Sequence, residues 1–195
     1  MKDILLKYLD QYTSLHEQQK QEILDELQIA AYKKGTVLLR QGEIPAKCYF
    51  VLQGCVRQYS IHPDGKEATS QFYTEEQAIA IFHSHKQDKA SEYTIQCLED
   101  SVLVVGDLAL EMDMYKKHDQ LALMTRKMIE ERFGQMQAEY AAFIASTPEE
   151  RFKSLLHKQP RLIERVPQHQ LASYLGMTPE SLSRIKKRVQ QESGK

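Results

Sequence analysis

Two groups of residues in this sequence have types and spacings that could do chemistry. Glu180, Ser181 and Arg184 stand at i, i+1 and i+4, which places them together near the start of one helix edge. Along such an edge an arginine can fork onto guanine O6 and N7, and a glutamate can accept a hydrogen bond from cytosine N4. Lys186, Lys187 and Arg188 follow as a positive cluster suited to phosphates; the blander reading is a solvated helix end that complements the helix dipole. The second group is His83-Ser84-His85, the one metal-like spacing in the chain. Its nearest carboxylates are Asp88 and Glu92, so two exposed loop histidines are the default, and neither a metal nor another cofactor is expected. No Ser/His/Asp triad, Walker loop or dinucleotide fingerprint is present, and the chain does not read as an enzyme.

The first group needs a scaffold, and Gln168 to Lys187, QHQLASYLGMTPESLSRIKK, supplies one. Leu171, Leu175, Met177, Leu182 and Ile185 are spaced for two short helices packing at a steep angle, with Ala172 small where they cross. Gly176 falls where the turn wants a left-handed backbone. Thr178 then caps the second helix, and Pro179 occupies its first turn, where a missing N–H costs nothing. This is a helix-turn-helix, and its expected DNA-contacting set is Thr178, Glu180, Ser181, Ser183, Arg184, Lys186, Lys187 and Arg188.

Upstream, the texture changes twice. The first thirty or so residues read as two short helices, the second opening at Ser14 with Glu17 in capping-box spacing and an apolar face of Ile23, Leu24 and Leu27. From Tyr32 to Val105 come short β-rich runs, at Thr36 to Leu39, Tyr49 to Leu52, Val56 to Ile61, Ala68 to Tyr73, Tyr93 to Cys97 and Val102 to Val105. Turn residues separate them, notably His62-Pro63-Asp64-Gly65, and the pattern suggests a β-sandwich or barrel of jelly-roll size. After Asp107 the pattern is helical to the end. Leu121, Met124, Met128, Ile129, Phe133, Met136, Tyr140 and Phe143 form an apolar stripe on one long helix. Such a helix is longer than a small domain needs, and burial against a second copy is the natural explanation.

Composition agrees with a globular chain. Apolar residues make up 42% and charged residues 27% of 195, so neither disorder nor a membrane span is indicated. The N-terminus lacks the layout of a signal peptide, and a cytoplasmic location is expected. Cys48, Cys55 and Cys97 form no CxxC pair and read as small apolar fillers. The net charge of −1 is unevenly spread: from Glu149 onward there are ten Lys and Arg against five Glu, while the rest of the chain is acidic. A basic tail on an acidic body is what a protein shows if only its last segment meets phosphate.

Taken together, four blocks and the tail resemble the Crp/Fnr superfamily of bacterial regulators over nearly the full chain. The blocks are Lys34 to Glu43, Tyr49 to Arg57, Asp64 to Glu67 and Ser91 to Ile95; the tail runs from Pro148-Glu149-Glu150-Arg151 through Arg165-Val166-Pro167 to Leu182-Ser183-Arg184-Ile185. The resemblance implies an α+β chain: a cyclic-nucleotide-binding-like jelly roll at residues 1–117, a dimerisation helix at 118–146 and a helix-turn-helix domain at 147–195. Members that bind cyclic AMP carry a Gly-Glu pair and, about ten residues later, an Arg-Ser pair. Here Gln77 to Phe82 holds no Gly-Glu, and Ala90-Ser91 stands in place of Arg-Ser. Burying a phosphate without a cation is costly, so cyclic AMP is not the expected effector. The N-terminal cysteine cluster of the iron-sulfur oxygen sensors is also missing, and His157 to Val166 lacks the glycine-turned strands of a wing.

The reading that follows is a homodimeric regulator on double-stranded DNA, with no membrane partner. Two variants stay open: a jelly roll that binds an unidentified small molecule, with Phe72, Tyr73, Ser91 and Tyr93 as pocket residues, or one filled by side chains such as Phe72, Tyr73 and Phe82 that binds DNA constitutively. RNA polymerase stands as an open further partner. The rival from another class is a cupin-like metal-binding or small-molecule-binding jelly roll built on the His83 and His85 pair.

Overall fold

A computed structural model describes residues 2–79 and 89–193. The HxH pair, Phe82 and Asp88 lie outside the described residues. Two helices open the chain, α1 (Lys2–Tyr12) and α2 (Glu17–Glu26). The cap expected at Ser14 does not form. His16 precedes α2 and donates its N–H to Gln19 Oε1 at 3.0 Å, while the Ser14 N–H donates to Gln120 Oε1 at 2.8 Å, drawn off by a helix far along the chain.

Among the described residues eight strands follow: β1 (Gln28–Tyr32), β2 (Val37–Leu39), β3 (Lys47–Gln53), β4 (Val56–Ile61), β5 (Glu67–Tyr73), β6 (Ala78–Ile79), β7 (Thr94–Cys97) and β8 (Ser101–Asp107). They form two antiparallel four-stranded sheets, in the orders β1-β8-β3-β6 and β2-β7-β4-β5. Strand β1 was not legible in the sequence, because Ala30 and Ala31 are poor strand formers; pairing of Ile29 with Val104 holds it. The hairpin predicted at His62 to Gly65 is present, with Gly65 at φ 80° and its N–H donating to the His62 carbonyl at 2.9 Å. The alternation of β8 shows how the sandwich is built. Leu103 and Val105 point between the sheets, with Val51, Val56 and Ile95, while Val102 and Val104 point outward to the N-terminal helices.

Helices complete the chain: α3 (Glu111–Lys117), α4 (Asp119–Ala145), α5 (Pro148–Lys158), α6 (Pro160–Arg165), α7 (Gln168–Tyr174) and α8 (Pro179–Ser193). A capping box starts α5: Thr147 Oγ1 accepts from the Glu150 N–H at 3.3 Å, and Glu150 Oε2 accepts from the Thr147 N–H at 2.8 Å. Among the described residues no strand follows β8; the end of α5 and α6 occupy the segment where a wing would begin. Two further cores flank the sandwich. One packs α1, α2 and the start of α4 on the first sheet through Leu9, Ile23, Leu52, Val104 and Leu121. The other joins Cys55, Phe72 and Leu98 on the side of the second sheet to Phe152, Leu162, Leu171, Leu182 and Ile185 of α5 to α8. The C-terminal helices are therefore docked on the sandwich by an apolar core of their own.

Candidate nucleic-acid interface

The turn between α7 and α8 adopts the geometry its residues demand. Gly176 has φ 68°, its N–H donates to the Ser173 carbonyl at 3.1 Å, and the Met177 N–H donates to the Ala172 carbonyl at 3.0 Å. Thr178 Oγ1 then accepts from the Ser181 N–H at 3.2 Å, three residues on, and Pro179 begins the helix. Leu182, Ile185 and Val189 are buried against the other C-terminal helices, which turns the opposite edge of α8 outward.

That outward edge carries the expected residues. Thr178, Glu180, Arg184 and Lys187 are exposed; Ser181, Ser183 and Lys186 are half-buried. The Glu180 N–H and the Thr178 hydroxyl hold the Glu180 carboxyl below its ordinary value, with a smaller contribution from Arg184. It is therefore an ionised acceptor at neutral pH. Arg188 is exposed as well, and its Nη1 lies 2.8 Å from Glu149 Oε2, so its charge is shared with α5. Among the described residues no ion pair to Arg184, Lys186 or Lys187 is formed, which leaves their charge facing solvent.

The apolar stripe of α4 divides in two. Leu121 and Met124 pack into the core with α1 and α2, and Met128 is half-buried. Beyond them Ile129, Phe133, Met136 and Tyr140 are exposed, Phe133 at 59% and Tyr140 at 67%. Phe143 leaves this seam, because its ring lies 3.8 Å beneath the Arg151 guanidinium; Ile144, outside the stripe read from the sequence, is the exposed residue at that level.

Of the four residues expected at an effector pocket, Phe72 stands apart from the others. Phe72 points outward and meets Tyr174 of α7 edge-on, ring centroids 5.2 Å apart, because neighbouring residues of a strand face opposite sides. Tyr73 points inward, donates to Gln58 Oε1 at 3.0 Å, and burial pushes its phenol up to about 12. Ser91 is buried, and its hydroxyl is engaged by the Tyr93 backbone, donating to the carbonyl at 2.8 Å and accepting from the N–H at 3.1 Å.

Sequence reasoning missed the contacts that attach the helix-turn-helix to the rest of the molecule. Arg151 donates from Nε to the Phe143 carbonyl at 3.0 Å and from Nη1 to the Leu175 carbonyl at 3.2 Å, tying the end of α4 to the turn. Ser173 accepts from the Thr69 N–H at 2.9 Å and donates to the Glu67 carbonyl at 3.2 Å, so α7 lies along β5. Arg165 reaches Glu75 and Glu99 on the sandwich. Apart from Phe143, these partners lie 24 to 106 residues from the side chains that reach them, beyond any local signal.

Comparison with known proteins bears on the whole arrangement. Residues 29–117 match the cyclic nucleotide-binding domain family. No curated protein matches the chain in sequence. Among solved structures, FixK2 from Bradyrhizobium japonicum is similar with a TM-score of 0.70 and 16% identity, covering 86% of this chain and 86% of that one. CLP, a c-di-GMP responsive global regulator from Xanthomonas campestris, is similar with a TM-score of 0.70 and 15% identity over 89% of this chain and 91% of that one. The catabolite activator protein of Thermus thermophilus is similar with a TM-score of 0.56 and 17% identity over 93% of this chain and 87% of that one.

Proposed function

We propose that this chain, which carries a cyclic nucleotide-binding domain and shares the fold of the Crp/Fnr regulators, is a sequence-specific DNA-binding transcription regulator acting as a homodimer. Residues 1–117 form its sensor unit, 118–146 the dimer helix and 147–195 the DNA-binding unit. The observation that carries the reading is the outward edge of α8, where Glu180 and Arg184 stand exposed behind a turn locked by Gly176. In a dimer paired through Ile129, Phe133, Met136 and Tyr140, two such edges enter successive major grooves ~34 Å apart on an inverted repeat. Glu180 and Arg184 read base edges, with Thr178, Ser181 and Ser183 beside them, and Lys186 and Lys187 hold phosphates.

Cyclic AMP is not the effector on this reading. Ala90 stands where a phosphate-binding arginine would be needed, and the Ser91 hydroxyl already serves the Tyr93 backbone. A phosphate monoanion would be desolvated without a cation.

Selection of bound sites from random duplexes, followed by titration of two variants, tests the assignment. Arg184→Ala should cost ~1–3 kcal/mol and relax one base position, whereas Lys187→Ala should weaken all sequences alike and flatten the salt dependence. Identical behaviour of both variants on selected and random DNA would overturn this division between base reading and phosphate holding.

A further inference from the structure

At one end of the second sheet, Arg165 of α6 gathers two loops of the sandwich. Its Nη1 and Nη2 donate to Glu75 Oε2 and Oε1 at 2.9 and 2.8 Å, a two-pronged pairing with the turn after β5. Its Nε donates to Glu99 Oε2 at 3.4 Å and its Nη2 donates to Glu99 Oε1, in the turn before β8. Glu75 Oε1 also accepts the Gly54 N–H at 2.9 Å, which brings in the turn between β3 and β4. The Arg165 side chain is only 22% exposed, so screening by solvent is reduced. A planar fork on a carboxylate fixes orientation as well as distance, which a point charge could not do.

A second fastening lies along β5. Ser173 bonds the backbone of Thr69 and Glu67, and the buried Arg57 bonds the side chains of the same two residues, its Nε to Thr69 Oγ1 at 2.9 Å and its Nη1 to Glu67 Oε2 at 2.6 Å. Between the two fastenings Phe72 and Tyr174 meet. None of these groups belongs to the outward edge of α8. Fastening the domain therefore leaves Glu180, Arg184 and Lys187 uncovered while it fixes where they point.

We propose that Arg165 is a positioning residue for DNA recognition: clamped to Glu75 and Glu99, it sets the angle of the helix-turn-helix on the sandwich, and with it the half-site spacing that the dimer accepts. The proposal rests on the DNA-binding reading above, so its test has one arm that needs no DNA.

Hydrogen exchange is measured on the full chain for Arg165→Gln and, separately, Glu75→Gln, whose amide oxygen still accepts the Gly54 N–H. Exchange in residues 67–73 and 168–174 should rise about tenfold, while the buried face of α8 stays protected. On duplexes selected by the unaltered protein, inserting about two base pairs between half-sites should cost that protein at least tenfold in affinity and either variant less than about threefold. Affinity for a single half-site should stay within about twofold. Unchanged exchange in both variants means that the clamp holds nothing, and the proposal fails whatever DNA does. Raised exchange with an unchanged spacing preference overturns the positioning role alone. If the unaltered protein selects no duplex at all, the DNA-binding reading and the positioning role fail together, and the exchange arm still decides the clamp.

Discussion

Arg151 covers the ring of Phe143 at 3.8 Å and, from the same guanidinium, donates to the carbonyl oxygen of Phe143 at 3.0 Å. One side chain thus closes the last turn of α4 and, through the Leu175 carbonyl, holds the turn of the helix-turn-helix against it. Gly176 completes the joint. A side chain there would meet Arg151 Nη1 at 3.1 Å and Phe143 Cζ at 3.2 Å, on a backbone already left-handed.

Replacing Arg151 by Ala removes two hydrogen bonds worth about 1 kcal/mol each and a cation–π contact worth about 0.5–1 kcal/mol. A loss of about 2.5–3 kcal/mol is expected in urea unfolding. Gly176→Ala should lose about 1–2 kcal/mol for the left-handed backbone alone. Unchanged midpoints would show that the joint contributes nothing to stability.

The divided stripe of α4 predicts two different outcomes for one kind of change. Phe133→Lys or Ile144→Lys alters exposed positions and should leave the fold intact while lowering the mass in analytical ultracentrifugation from dimer to monomer. Met124→Lys places a charge in the core with α1 and α2, and should lower the melting temperature instead. A Phe133→Lys protein that stays dimeric would move the interface elsewhere.

Phe72 is 2% exposed and belongs to the docking core rather than to a pocket. Phe72→Ala should therefore cost about 3–5 kcal/mol and raise protease sensitivity of the C-terminal helices. Little loss of stability would return Phe72 to the role of pocket residue.

Acid should loosen the clamp in a definite window. Burial pushes the Glu75 carboxyl up, but the Arg165 guanidinium and the N–H groups of Gly54 and Glu75 outweigh it and hold the group at about 2, against 4.5 ordinarily. A depressed value means that the ionised form favours the folded state. This stabilisation is complete above about 4.5 and is lost as pH falls through about 2. Arg165 and Glu99 face the same carboxyl, and the nearby Cys55 thiol, pushed up to about 12 by burial, adds no charge in that range. Unfolding free energy measured from pH 5 downward should fall less steeply for Glu75→Gln than for the unaltered protein; equal slopes would assign the acid loss to other carboxylates.

Cyclic AMP supplied far above typical dissociation constants should leave the melting temperature unchanged, since a ligand of the folded state raises stability by mass action. A clear upward shift would show that the site lacking an arginine binds it by other means.

Whatever is settled within a few residues of chain can be read without any fold. Gly176, Thr178 and Pro179 each satisfy one backbone requirement at its own position, so the helix-turn-helix was legible before any contact was known. The same holds for the hairpin at Gly65. The remaining features come from packing between distant segments. Strand β1 exists because β8 pairs with it, and Ser14 abandons its cap for Gln120. The α4 stripe looked continuous because its period is local, yet which half meets its own chain depends on where α1 and α2 lie. Arg165, Ser173 and Phe72 fasten the two units to partners 90 residues off at Glu75, 104 at Thr69 and, for Phe72, at Tyr174. Backbone preference and hydrophobic period act over one or two turns of chain, whereas an ion pair between loops leaves no periodic trace, and only folding brings its members together.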